Sequence, residues 1–297
     1  MSTPLRLGTR RSSLALAQAR EVAALLTSRG IDVDIVPMTT RGDRGAPAGA
    51  SPAGRKGLWV NDIVDALVRG EVDLAVHSAK DLPADDPDGV VVAAVPERAS
   101  PFDMLVQREV TLAAGARVGS SSLRRRGQLR AARPDLDVVE VRGNVDTRLR
   151  KLADGEVDGL VLAAAGLVRL DVVPEHASLL SAEEMVPAPG QGALAVQTRD
   201  DGPAREVVAA LDHRESRLAF GAERALVRMV GGGCALPLGA FATVTDGVVR
   251  LSAVVLRPDG TSPVRAVAEA DSPETAAREA ADSMLARGAA AILAELG

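Results

Sequence analysis

The sequence has few of the side chains on which several common functions depend. It has no tyrosine, one tryptophan and three phenylalanines, so there is almost no aromatic surface on which nucleic-acid bases could stack. The net charge of −5 also argues against a general nucleic-acid-binding protein. The three histidines, His77, His176 and His213, are far apart in the sequence. Their spacing is not that of metal ligands, and we expect no metal site.

A single cysteine and the lack of long apolar runs indicate where the protein works. Cys234 has no partner for an internal disulfide, which agrees with a reducing compartment. No apolar run reaches the length of a transmembrane helix, and Arg6, Arg10 and Arg11 interrupt the apolar start, so nothing reads as a signal peptide. We therefore expect a cytoplasmic protein that binds neither membranes nor nucleic acids.

Positive charge is concentrated in one part of this acidic chain. Only three of the 35 basic residues are lysine, so the placement of the arginines is stronger evidence than their identity. Residues 124–151 contain nine basic and four acidic side chains, a local excess of +5. This excess predicts a site for an anionic small molecule.

Hydrophobic periodicity predicts alternating strands and helices in a chain long enough for two or three domains. Such alternation favours a mostly parallel sheet flanked by helices. Residues 41–57 are rich in glycine, proline and charge and predict a mobile loop or lid. The first unit has predicted strands over 5–8, 31–38, 72–76 and 90–95 and predicted helices over 13–29 and 59–69.

A second unit repeats the first. The segment Gly70–Val76 matches Gly155–Val161 at an offset of 85 residues, and the turn over 8–14 resembles the turn over 119–123. We expect two related α/β domains that face each other across a cleft. Ligands of open α/β sheets bind beyond the carboxyl ends of the strands, where helix N-termini present free N–H groups to anions.

The rest of the chain predicts a smaller α+β domain of another kind. Strands are expected over 236–244, 248–256 and 264–270, followed by one long alanine-rich helix over 273–296.

Two arginine motifs are candidate anion sites. Ser120–Ser122 lie at a predicted helix N-terminus with Arg124 and Arg125 in the first turn, an arrangement that can bind a carboxylate or a phosphate. Arg142 and Arg148 lie at a strand end and in the following helix. In the alternative interpretation the serines only cap the helix and the arginines are ordinary surface residues.

The segment His77–Pro83 places Lys80 and Asp81 at the carboxyl end of an apolar strand. A carboxylate beside cations in a cleft can donate a proton or stabilise a developing cation. Alternatively, Asp81 caps the following turn. The aligned position in the second unit is Gly166, so only one copy of the repeat has the acid, which indicates a specialised use.

Three glycines place Cys234 on a pliable loop after a long predicted helix. A free cysteine is commonly a buried, inert side chain, but the glycines favour a covalent attachment site. The nearest histidine, His213, lies at the far end of a helix roughly 30 Å long, which argues against a Cys–His hydrolase.

Seven motifs of the chain are Thr9–Ser12, His77–Pro83, Gly119–Arg125, Arg142–Arg148, Ala165–Arg169, Pro189–Gly192 and Gly233–Cys234. They occur in the order found in the porphobilinogen deaminase (hydroxymethylbilane synthase) family, which the chain resembles over nearly its whole length. The resemblance implies two similar domains like type II periplasmic binding proteins and a small α+β C-terminal domain. The implied bounds are 1–96 with 192–212, 100–190, and 215–297.

The resemblance also implies a transferase of tetrapyrrole (haem) biosynthesis. Four porphobilinogen molecules would be deaminated, with loss of ammonia, and joined head to tail on a covalent dipyrromethane cofactor, and hydrolysis would release hydroxymethylbilane. Cys234 would hold the cofactor through a thioether, and Asp81 would be the catalytic carboxylate. The implied cofactor- and substrate-binding residues are Arg10, Ser12, Trp59, Lys80, Ser120, Ser122, Arg124, Arg125, Arg142, Arg148, Arg169 and Gln191.

Two positions depart from the family pattern, and two other functions stay open. Trp59 stands where the family usually has phenylalanine, and Ser120 where it usually has threonine. The alternatives are a non-catalytic ligand-binding protein and a divergent relative that binds carboxylated tetrapyrrole precursors for regulation. The family favours a monomer without an obligate protein partner.

Overall fold

A computed structural model describes residues 3–40, 60–231 and 236–295. The strands in these residues are β1 (Leu5–Arg10), β2 (Val33–Met38), β3 (Leu74–Ser78), β4 (Val90–Ala94), β5 (Asp103–Gln107), β6 (Arg117–Gly119), β7 (Asp137–Val139), β8 (Gly159–Ala163), β9 (His176–Leu180), β10 (Leu194–Arg199), β11 (Leu238–Thr245), β12 (Val248–Val255) and β13 (Val264–Ala270). The helices are α1 (Ser13–Thr27), α2 (Asn61–Val68), α3 (Leu123–Ala132), α4 (Val145–Ala153), α5 (Ala164–Arg169), α6 (Ala204–Ala209), α7 (Arg214–Met229), α8 (Pro273–Ala286) and α9 (Ala289–Ala294). No helix in the described part of the chain is long and apolar enough to cross a bilayer.

Two five-stranded sheets have the same strand order. The first sheet runs β2-β1-β3-β10-β4 and the second runs β7-β6-β8-β5-β9. In the first sheet β10 is antiparallel to both of its neighbours, and in the second sheet β5 is. Each antiparallel strand is the first strand after the chain crosses from the other sheet. The predicted fold class, α/β with two similar units, is confirmed.

The sequence repeat corresponds to a repeated set of contacts. The carboxylate of Asp73 accepts a hydrogen bond from the backbone N of Arg6 at 2.9 Å, and that of Asp158 accepts one from the backbone N of Arg117 at 2.8 Å. Both contacts tie the start of the central strand of a sheet, β3 or β8, to the neighbouring strand, β1 or β6. The two matching segments therefore make equivalent contacts in the two units.

The third sheet, β11-β12-β13, is antiparallel and packs its apolar face on α7, α8 and α9. This confirms the predicted small α+β unit. The prediction of one helix over 273–296 is wrong, because α8 ends before Gly288 and α9 starts after it. Gly288 has a φ of +91°, a left-handed conformation that interrupts the helix.

Candidate functional site

A cavity of about 190 Å³ lies between the first and second sheets, at the carboxyl ends of β1, β3 and β8. The first residues of α1, α4 and α5 also line it. The N-terminal end of a helix carries unpaired N–H groups and a partial positive charge. The backbone alone therefore makes this cavity favourable for anions.

Five cationic side chains strengthen that preference. They are Arg10, Lys80, Arg125, Arg148 and Arg169, all of them predicted site residues. Only one carboxylate among the described residues, that of Asp146, also lines the cavity. Burial and the nearby charge of Arg125 lower the pKa of Lys80 to about 8 and that of Arg148 to about 10. An anionic ligand would relieve this repulsion.

Lys80 and Asp81 belong to a short 3-10 turn, Ala79–Asp81, that follows β3. The backbone N of Ala79 donates to the carbonyl oxygen of Ala193 at 3.0 Å. Gly190 lies so close to the turn that a Cβ atom there would be 2.9 Å from the carbonyl carbon of Ala79 and the nitrogen of Lys80. The missing side chain at Gly190, which also has a φ of +71°, lets the chain fix the turn from one side.

Asp103, which the sequence analysis missed, organises the arginines of α3. Its carboxylate lies 2.8 Å from a terminal nitrogen of Arg124 and 2.8 Å from one of Arg125. Gln191 donates to Asp103 at 2.8 Å and accepts from Arg125 at 3.1 Å. Burial would raise the pKa of Asp103, but the two guanidinium groups lower it to about 2. One carboxylate therefore faces two cations, and a net positive charge remains.

Arg124 and Gln191 are buried and do not line the cavity. Arg124 donates to the carbonyl oxygen of Val186 at 2.7 Å as well as to Asp103. Gln191 bonds Arg125 directly, and Arg124 bonds the same Asp103 that pairs with Arg125, the residue that does line the cavity. Their direct contact with a ligand stays a prediction.

The three predicted serines lie at or just before the N-termini of two helices, α1 and α3. Ser12 caps α1 by accepting from the N of Ala15 at 3.3 Å, and it lines the cavity. Ser122 caps α3 by accepting from the N of Arg125, and the buried Ser120 accepts from the N of Ser122 at 3.3 Å. The capping interpretation therefore describes Ser122, whereas Ser12 both caps a helix and faces the cavity.

Two other predicted arginines differ in their surroundings. The side chain of Arg142 is 60% exposed, forms a 2.7 Å ion pair with Glu140 and does not line the cavity. The side chain of Arg169 is 8% exposed and joins α5 to α1 through a 2.8 Å ion pair with Glu21. It also donates to the carbonyl oxygen of Gly192 at 3.2 Å. Arg169 is thus a cavity residue that also connects the two sheets.

Gln18 lines the cavity and was missed by the sequence analysis. Its amide nitrogen donates to the hydroxyl of Ser78 at 2.8 Å. The signal was an amide on the otherwise apolar buried face of α1, which consists of Ala15, Ala19, Val22 and Leu26. A buried amide needs polar partners, so such a residue marks a site or a polar network.

Three predicted features lie outside the described residues: Trp59, Cys234 and the loop over 41–57.

Residues 5–206 match the family model "Porphobilinogen deaminase, dipyromethane cofactor binding domain", and residues 218–286 match "Porphobilinogen deaminase, C-terminal domain". The chain belongs to the porphobilinogen deaminase family. The predictions of this family, of a transferase of tetrapyrrole biosynthesis and of a dipyrromethane cofactor are confirmed.

Curated porphobilinogen deaminases are similar over nearly their whole length. The chain is 43% identical to that of Syntrophotalea carbinolica, covering 99% of this chain and 96% of the relative. It is 46% identical to that of Thermus thermophilus, covering 97% of this chain and 98% of the relative. Among solved structures, a periplasmic substrate-binding protein of an ABC transporter from Coxiella burnetii is 16% identical, with a TM-score of 0.43, covering 74% of this chain and 96% of that one.

The chemistry of the cavity fits the cofactor and the substrate of the porphobilinogen deaminase family. Dipyrromethane and porphobilinogen carry acetate and propionate side chains, so they bring several carboxylates into one site. The cavity offers five cations against one lining carboxylate, together with three helix N-termini. Guanidinium groups suit carboxylates because they can bind both oxygens at once.

Proposed function

We propose that this chain deaminates porphobilinogen, with loss of ammonia, at the cavity between the first and second sheets. The observation that supports this most directly is the position of the 3-10 turn over 79–81. Lys80 lines the cavity, and Asp81 is the next residue, at the same end of β3. Asp81 does not itself line the cavity, and its proposed role is supported by its position directly after Lys80, which does.

In the proposed reaction, the carbon–nitrogen bond of the substrate's protonated aminomethyl group breaks, and the nitrogen leaves with the bonding electrons as ammonia. The positive charge left on the pyrrole is stabilised by the Asp81 carboxylate, which accepts a hydrogen bond from the pyrrole N–H. A new carbon–carbon bond then forms to the methylene carbon, and the accepting pyrrole carbon loses its proton.

The cationic residues bind and orient the carboxylates of the pyrrole rings. Arg10 and Lys80 act from the first sheet, whereas Arg125, Arg148 and Arg169 act from the second. The dipyrromethane cofactor, when bound, supplies the pyrrole to which new units are added. We propose Cys234 as its thioether attachment site, since it is the only cysteine of the chain. The predicted roles of Ser12, Ser120, Ser122, Arg124, Arg142, Gln191 and Trp59 in ligand binding are part of the same proposal.

We also propose the domain division 1–96 with 192–212, 100–190 and 215–297. The three sheets support it, because each lies within one of these sets of residues. A monomeric cytoplasmic enzyme without an obligate protein partner is the form we propose for the cell. The lone cysteine agrees with a reducing compartment.

Replacing Asp81 tests its proposed role. We expect Asp81→Asn to lower kcat for ammonia release from porphobilinogen by about 10²–10⁴-fold, the usual contribution of a catalytic acid or base. The amide keeps the shape of the side chain but has no charge with which to stabilise the cation. Ammonia release and pyrrole consumption are measured with the cofactor-loaded enzyme.

The matched control is Asp85→Asn on the same loop, because Asp85 is exposed and pairs only loosely with Arg228, at 3.8 Å. It is expected to behave like the wild type. An Asp81→Asn enzyme with full kcat would refute the assignment of Asp81.

A further inference from the structure

Helix α7 holds the chain segment that follows Asp81. A terminal nitrogen of Arg224 donates to the carbonyl oxygen of Pro83 at 3.0 Å, and the same guanidinium forms a 3.1 Å ion pair with Asp86. The Arg224 side chain is only 14% exposed. Its hydrogen bond therefore fixes a backbone atom two residues after Asp81, from a largely buried position.

The guanidinium of Arg224 is itself fixed. Its central carbon lies 5.4 Å from the centre of the Phe220 ring, one turn earlier on α7. Phe220 is buried in the core of the first sheet, beside Ala79 and Leu82. The helix, the aromatic ring and the catalytic turn thus share one packed core, which gives Arg224 a rigid base.

The two ends of the turn are held by different parts of the chain. At the start, Gly190 packs against Ala79 and Lys80, as described above. After Leu82, the segment reaches α7 through Arg224 and, one turn later, through Arg228, which donates to the carbonyl oxygen of Ala84 at 3.2 Å. The Arg228 side chain is more exposed, so Arg224 is the stronger of the two links.

We propose that Arg224 is a positioning residue that holds the Asp81 turn at the cavity. This inference rests on the proposed function of Asp81. Catalytic groups must be held within about 0.5 Å of their productive position, and a shift of about 1 Å can cost up to 100-fold in rate. Removing the bond to Pro83 frees the backbone that carries Asp81 without touching any residue that lines the cavity.

The same helix ends at Met229, shortly before Cys234 in the sequence. Arg224 therefore ties the catalytic turn to the helix that precedes the proposed cofactor attachment residue in the sequence. Arg224 therefore affects the rate of the chemical step, whereas the affinity for substrate carboxylates depends on other residues.

Arg217 provides a matched control on α7. It donates to the carbonyl oxygens of Val92 and Ala93 at 3.0 and 2.9 Å and forms a 2.9 Å ion pair with Asp212. It thus makes the same kinds of bond from the same helix, but to β4 and away from the segment that follows the Asp81 turn. A purely structural role would make the two arginines equivalent.

The experiment compares Arg224→Ala, Arg224→Met and Arg217→Ala in the cofactor-loaded full chain. Methionine keeps the apolar stem over Phe220 and removes only the donors and the charge, so it serves if the alanine variant does not fold. We expect both Arg224 variants to lose about 10- to 100-fold in kcat with KM within about twofold of the wild type. Arg224→Lys, whose ammonium can still donate to Pro83, should recover part of kcat.

Arg217→Ala is expected to keep kcat even where its Tm falls as far as that of Arg224→Met. The inference is overturned if Arg224→Met keeps kcat, or if the two variants lose kcat equally at equal loss of Tm. Asp81→Asn, assayed in parallel, separates the two hypotheses. If it is inactive while Arg224→Met is fully active, only the positioning role fails, whereas an active Asp81→Asn removes the proposed function itself.

Discussion

Lys80 differs from the other four cavity cations because its charge can be lost near neutral pH. Burial and the charges of Arg125 and Arg124 act against its protonation, while Asp81 and Asp103 favour it, and the pKa falls to about 8. The arginines beside it remain charged throughout the physiological range. Lys80 is therefore the residue through which pH can change the affinity of the cavity for carboxylates.

Above pH 8 this account predicts weaker substrate binding. The free enzyme loses the Lys80 proton as the pH rises through about 8, whereas a bound carboxylate favours the charged form and raises the pKa in the complex. The affinity for substrate is thus at its maximum below pH 8 and decreases above it. Above pH 8, KM should rise by up to about tenfold per pH unit.

Steady-state kinetics between pH 7 and pH 9.5 check this, with Lys80→Arg as the control that keeps its charge. The rise in KM should be smaller in Lys80→Arg. Identical pH profiles for the two enzymes would show that Lys80 is not responsible.

At the level of single residues, the sequence predicted which cations belong to the site, but it did not show which of them line the cavity and which bind other protein groups. The repeat and the family motifs pointed to Arg10, Lys80, Arg125, Arg148 and Arg169, which the fold does bring together. The neighbouring Arg124 belongs to the same motif and also pairs with Asp103, but it donates to the carbonyl oxygen of Val186 and does not line the cavity. Which of two adjacent arginines faces a cavity depends on contacts with residues distant in the sequence, and local spacing does not reveal it.

At the scale of the elements, strong periodicity predicted most helices and strands to within a few residues. It did not predict β6, which has only three residues, or β9, whose middle residues are all exposed at a sheet edge. It also did not show that β5 and β10 run antiparallel to their neighbours. Strand direction follows from the two crossings between the sheets, which are long-range features.

Helix α7 joins the third sheet to the other two through one buried carboxylate. Glu223 accepts from Arg98 at 2.7 Å, from the backbone N of Gly190 at 2.6 Å and from that of Ala242 at 2.8 Å. Its side chain is completely buried. A single residue thus satisfies donors from the segment between β4 and β5, from the segment between β9 and β10, and from β11.

Glu223→Gln should therefore destabilise the protein strongly. The neutral amide leaves the buried charge of Arg98 uncompensated and turns an NH₂ group towards a backbone donor. Breaking a buried pair in this way typically costs about 3–5 kcal/mol. Urea unfolding measures the loss.

Glu71→Gln serves as the control, because its ion pair with Arg69 is exposed to solvent on both sides. Its unfolding midpoint should not change. If both variants unfold at the wild-type midpoint, Glu223 is not the structural junction described here.

The whole molecule combines a duplicated α/β unit with a smaller unit of another kind. The matching segments around Gly70 and Gly155 predicted the duplication, and the shared strand order confirms it. The cleft itself was predictable because ligands of such sheets bind at the carboxyl ends of the strands. The ion pair between Arg98 and Glu223 was not predictable, since neither residue belongs to a repeated motif.

We propose that this cavity holds pyrrole units linked to Cys234 and that Asp81 acts in their transfer. The intact mass of the denatured chain, as purified and after brief exposure to porphobilinogen, tests both statements. We expect a chain heavier by two linked pyrrole units, further increments of one unit with substrate, and neither in Cys234→Ala. An unmodified chain that still turns over porphobilinogen would contradict this proposal.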